Sequence, residues 1–159
     1  MTDPTPRAEA LARRFSEIAA TRMRGLPLLN PALGVEAVGF AAQSLGTEAG
    51  SGLLGVLVTP WCMNLIWLPD PGQPRPREGE SREYRIGDQQ LGFIAAHDEV
   101  FGAYQSCSLF SPMFEFADPQ SARDTALQVL ALLRRGTPAE GPALGRRRLL
   151  FGHLREAAR

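Results

Sequence analysis

Lysine is absent from this chain: all seventeen basic residues are arginine. That removes a Schiff-base amine and the lysine of a phosphate-binding loop. Histidine and cysteine are nearly as scarce, at two each. Cys62 and Cys107 form no CxxC pair, which argues against a zinc ribbon, an iron–sulfur site or a thioredoxin motif. The longest apolar stretch, Leu53 to Leu68, is interrupted by Pro60 and Asn64. It falls short of the ~18 residues a membrane span needs. The first 25 residues hold no uninterrupted apolar block, so no secretory signal is expected and a cytoplasmic location is. Net charge is missing too. Seventeen acids offset the arginines, which removes the usual electrostatic case for nucleic acid.

What is present suits one globular domain. A chain of 159 residues buries enough surface to hold a core without disulfide or metal. The charge is unevenly spread. From Arg134 onward seven arginines face only Glu140 and Glu156, whereas residues 1–133 carry ten bases and fifteen acids. An acidic body with a basic end predicts a contact surface or a tail that folds back. Residues 1–145 are expected to form the domain and 146–159 a basic tail.

The spacing of apolar residues predicts the elements. Leu11, Phe15 and Ile18 recur at helical spacing after Thr5, a candidate cap, and Pro6. Gly25 and Pro27 end that helix. Leu26 to Leu33 is too proline-rich for helix or central strand and reads as an apolar loop packed across something. Strands follow from Val35 to Ala41, then Leu53 to Thr59 and Trp61 to Leu68. Pro60 between the last two belongs at a bulge, edge or corner. A solvated loop spans 69–83, and Tyr84 to Ile86 with Leu91 to Ala96 reads as a hairpin. Phe101 to Phe110 is a further strand. Asp118 caps a helix from Pro119 to Arg135, whose stripe is Ala122, Ala126, Val129, Leu130 and Leu133. Terminal helices around consecutive strands, without βα alternation, predict an α+β fold with an antiparallel sheet.

Catalytic material is sparse. There is no GxSxG elbow, no phosphate-binding GxxxxGK[ST] loop and no GxGxxG after a strand. His97 precedes Asp98 and Glu99 in an expected turn, where it reads either as a general base or as an exposed turn residue. His153 lies near the C-terminus. Cys107, between Ser106 and Ser108, is either a small core side chain or a redox or binding group. His97, His153, Cys62 and Cys107 show no ligand spacing.

Apolar clusters stand out instead. Trp61, Met63 and Trp67 lie near Pro60, and Phe110, Pro112, Met113, Phe114 and Phe116 fall within seven residues. Aromatics and methionine suit a binding surface as well as a core. Pro112 disrupts a central strand, so the segment Ser111 to Phe116 is harder to bury whole. Near the end, Arg146, Arg147 and Arg148 are followed by Leu149, Leu150 and Phe151. A guanidinium cluster beside an apolar anchor suits docking on an acidic surface.

Three stretches together resemble the [NiFe]-hydrogenase assembly chaperones of the HybE/HupJ family. They are Val58-Thr-Pro-Trp-Cys-Met-Asn-Leu-Ile66 with Leu68-Pro69, Tyr104-Gln-Ser-Cys-Ser-Leu-Phe-Ser-Pro-Met-Phe-Glu-Phe-Ala-Asp118, and Arg146-Arg-Arg-Leu-Leu-Phe-Gly152. Cys62 departs from the pattern, which carries another residue, often aromatic, after the tryptophan. Relatives associated with a rubredoxin domain exist, but rubredoxin-like cysteine pairs are missing here. The resemblance implies a non-enzymatic maturation factor without a cofactor. Its partners would be a hydrogenase small subunit with its twin-arginine signal or a large-subunit precursor, held back until the metal centres are in place. Other maturation factors are further candidate partners. The implied fold is a two-layer, secretion-chaperone-like sheet with helices on one side. The competing reading is a metal- or redox-active accessory protein using Cys107 or His97.

Overall fold

Two strands with apolar side chains on both parities must lie at the centre of a sheet covered on both faces. Ser51–Val58 (β2) and Met63–Pro69 (β3) are such strands: every residue of β2 after Ser51 is buried, as is every residue of β3 except Asn64. The computed structural model describes residues 3–46, 50–73 and 75–135. In it Glu36–Ser44 (β1), β2, β3, Ser81–Ile86 (β4), Gln89–Asp98 (β5) and Gly102–Phe110 (β6) make one antiparallel sheet. The strand order is β1-β2-β3-β6-β5-β4, so β2, β3, β6 and β5 are flanked on both sides and β1 and β4 are edges. The predicted tail 146–159, with His153, lies outside the described residues.

Thr5–Ala20 (α1) and Pro119–Arg134 (α2) cover opposite faces. The face of Leu54, Val56, Met63, Leu65, Trp67, Phe93 and Cys107 packs with the Ala122, Ala126, Val129, Leu130 and Leu133 stripe of α2. The other face, with Leu53, Leu57, Ile66 and Leu68, packs with Leu11 and Phe15 of α1. The α+β class with flanking terminal helices is as expected, but the layering is helix–sheet–helix. The expectation of two layers with both helices on one side fails because helical periodicity identifies an apolar stripe, not the sheet face it will cover.

Local chemistry sets the details. Asp118 caps α2 by accepting the Ser121 amide at 2.8 Å, with Pro119 in the first turn. The cap of α1 differs from the expected one: Thr5 is its first residue, and its amide donates to Asp3 at 2.9 Å. Register shifts between Val38 and Ala41, where Gly39 takes φ of 65°. A β-carbon on Gly39 would stand 2.6 Å from Leu130 Cδ1, so the bulge also lets α2 approach. Arg134 then donates to Gly39 O and Leu54 O, each at 2.8 Å. On the α1 face, Phe40 lies over Gly55, where a β-carbon would come within 2.3 Å of its ring.

Candidate functional site

At the end of the sheet where β2 turns into β3 and β6 finishes, three loops converge on one polar side chain. Asn30 is the single polar residue of Leu26–Leu33; it is 6% exposed. Its Nδ2 donates to Met113 O at 2.9 Å and Phe116 O at 2.8 Å. Its backbone amide donates to Pro60 O at 2.8 Å, and its Oδ1 accepts from Ala32. One asparagine therefore ties loop 26–33 to the β2–β3 turn and to the segment after β6. Thr59 closes that turn, its hydroxyl accepting the Trp61 and Cys62 amides and donating to Cys62 O. Pro60 sits at this corner, as its missing N–H demands.

The clamp divides the expected apolar residues into two groups. Met63, Trp67, Phe110, Met113 and Phe116 are buried and serve the core; Phe110 and Phe116 meet edge-on at 5.2 Å. As binding residues these five are corrected by the structure: their parity or turn position aims them under α2. Phe114 points outward in the turn between Met113 and Phe116 and is 56% exposed. Pro112 is exposed and Trp61 half-buried, its ring stacked on Phe15 of α1 at 6.5 Å. Leu26 and Leu28, at 39% and 41% exposure, add apolar surface on the neighbouring loop. Glu115 is exposed beside Phe114. Arg146, Arg147, Arg148 and Phe151 lie outside the described residues.

The groups with chemical potential do not converge. Cys107 is buried in the α2-side core, whereas His97 is exposed near the end of β5, opposite Ala103. Cys62 is partly buried, and burial pushes its thiol up despite the opposing hydrogen bond it shares with Thr59. Among the described residues, no three His, Cys, Asp or Glu side chains gather as a metal site. No described helix is long and apolar enough to cross a membrane.

Two features escaped sequence reasoning. Asn30 was legible only as a lone polar residue in an apolar loop. Arg14, off the predicted apolar stripe, is buried: its Nε donates to Asp98 Oδ2 at 2.8 Å. The same oxygen accepts the Val100 and Phe101 amides at 2.9 and 2.8 Å. Burial alone would push the Asp98 carboxyl up; Arg14 and the two amides outweigh it and hold the group below the ordinary carboxylate range.

Residues 6–152 match the family described as "[NiFe]-hydrogenase assembly, chaperone, HybE". Protein HoxT of Cupriavidus necator is 44% identical over 94% of this chain and 90% of its own. The hydrogenase expression/formation protein HupJ of Bradyrhizobium diazoefficiens is 40% identical over 96% of this chain and 95% of its own. The solution structure of HybE from Escherichia coli superposes with a TM-score of 0.62, covering 86% of this chain and 85% of that one at 20% identity. That last likeness concerns the fold.

Proposed function

Because the chain belongs to the HybE family of [NiFe]-hydrogenase assembly chaperones, we propose that it captures an immature hydrogenase subunit and delays its assembly or export until the metal centres are in place. The client is a small subunit carrying its twin-arginine signal or a large-subunit precursor, met in the cytoplasm. This work needs recognition and release rather than bond chemistry, so the protein acts without a catalytic group of its own.

The carrying observation is the Asn30-braced turn that holds Phe114 outward. An exposed aromatic on a flexible loop would lose much of its binding energy to ordering. Fixing its backbone through two buried hydrogen bonds reduces that cost before the client arrives. Trp61, Pro112, Leu26 and Leu28 extend the apolar contact, and Arg146 to Arg148 with Phe151 serve as a second, charged contact.

The test is binding of purified precursor subunit to the wild-type chain and to Phe114→Ala. A surface truncation of this kind should change stability by no more than ~0.5 kcal/mol. Capture should weaken roughly tenfold or more if Phe114 is an anchor. Unchanged capture by a stably folded Phe114→Ala variant overturns the assignment of this surface.

A further inference from the structure

On the face opposite α2, between α1 and the β5–β6 turn, lies a cleft of about 590 Å³. Its charged wall is formed by Arg7, Arg13, Arg14 and Arg75, and its apolar wall includes Val100 and Phe101. Residues 7, 10, 13, 14 and 17 fall on one side of α1 because they recur at three- and four-residue steps. Two of the four arginines are committed. Arg14 pairs with Asp98, and Arg7 donates to Leu68 O and Pro69 O at 3.4 and 3.0 Å. Arg13 and Arg75 are exposed, and neither makes an ion pair among the described residues. Burial lowers the Arg7 guanidinium below its ordinary value; Asp70 opposes this and the like charge of Arg75 adds to it. Arg14 is met by Glu17 and Glu99 as well as Asp98, and Arg7 by Asp70, so among the described residues the positive charge left without a partner in the cleft is that of Arg13 and Arg75.

We propose that this cleft binds an acidic segment of a partner polypeptide, two carboxylates meeting Arg13 and Arg75 while an apolar side chain between them rests on Val100. Val100 supports the apolar half: it is 65% exposed, and its backbone is held in place by the Asp98 carboxylate. Glu17 in the same wall disfavours a polyphosphate chain, whose uniform charge would be repelled there. The chain's own residues 136–159 carry five arginines against two glutamates, so they are poorly matched to an arginine wall. The proposal rests on the chaperone reading only in that the chain acts by docking another polypeptide. Its surface is separate from the Phe114 turn.

The experiment titrates the full-length, ¹⁵N-labelled chain with a capped peptide of two glutamates flanking a leucine, and with its glutamine counterpart. The expected result is amide shifts confined to Arg13, Arg14, Arg75 and Val100–Ala103, seen with the glutamate peptide alone and suppressed by added salt. The Arg13→Gln/Arg75→Gln double variant, which alters exposed side chains only, should bind about fivefold more weakly, as expected for losing two modest exposed ion pairs. No shifts, equal shifts with the glutamine peptide, or tighter binding of a single-stranded oligonucleotide overturns the proposal. Client capture by the wild-type chain while the glutamate peptide fails to bind it removes the cleft and leaves the chaperone reading standing. Peptide binding without client capture does the reverse.

Discussion

Asn30 carries more of this molecule's local order than its size suggests. Truncating it to alanine removes the side-chain donor to the Phe116 carbonyl and one of the two donors to the Met113 carbonyl in a buried place. Asn30→Ala should cost about 1–3 kcal/mol, read by urea denaturation, with faster amide exchange in residues 111–118. Asp98 makes a different prediction. Its folded pKa lies below the unfolded one, so its stabilisation is complete above the ordinary carboxylate pKa and is lost as pH falls through the folded value. Asp98→Asn should therefore lower Tm at pH 7, and the gap to wild type should begin to narrow below about pH 4 and close as the pH passes the lower folded value. A gap that stays constant into acid would show that the Arg14 contact acts through shape rather than charge. Neither residue was legible as a clamp in the sequence. Both act across the fold, on partners more than eighty positions away, and single-chain spacing contains no record of such contacts. Phe114 was legible, but only as one of a cluster of five that includes Pro112; the turn that points Met113 and Phe116 inward is braced by Asn30.

At the scale of elements, the sequence was most informative where a local rule decides. Asp118 and Pro119 start α2 within one residue of expectation, and Pro60 falls at the β2–β3 corner. The β4–β5 hairpin is present, with β4 starting earlier, at Ser81. Less legible was the side on which each helix lies. A clue was available in Leu53 to Val58, whose apolar side chains occupy both parities and so require cover on both faces. The bulge at Gly39 was also missed, since an apparent alternation through Val35, Ala37, Gly39 and Ala41 conceals a shift in register. That bulge gives a prediction at this scale. Gly39→Ala imposes a side chain at φ of 65° and against Leu130. It should destabilise the domain by ~1–3 kcal/mol, measured by chemical denaturation. A neutral substitution would mean that β1 can re-register and that α2 does not depend on the bulge.

For the whole molecule, average charge misleads. Fifteen acids against ten bases before Arg134 predict an acidic body, yet folding gathers Arg7, Arg13, Arg14 and Arg75 beside one cleft. The two contacts proposed within the described residues consequently differ in kind: an apolar turn at one end of the sheet and a basic cleft beneath α1. Binding through the first should be little affected by salt, and binding through the second should weaken with it. The central claim is that this chain holds hydrogenase subunits before they mature. Affinity capture by the full-length chain, from cells in which a [NiFe] hydrogenase is being assembled, tests it most directly, with precursor and mature subunits quantified side by side. Enrichment of a precursor over its mature form is expected, and loss of that enrichment with Phe114→Ala. Equal recovery of mature enzyme, or recovery of neither subunit while maturation proceeds, would contradict it.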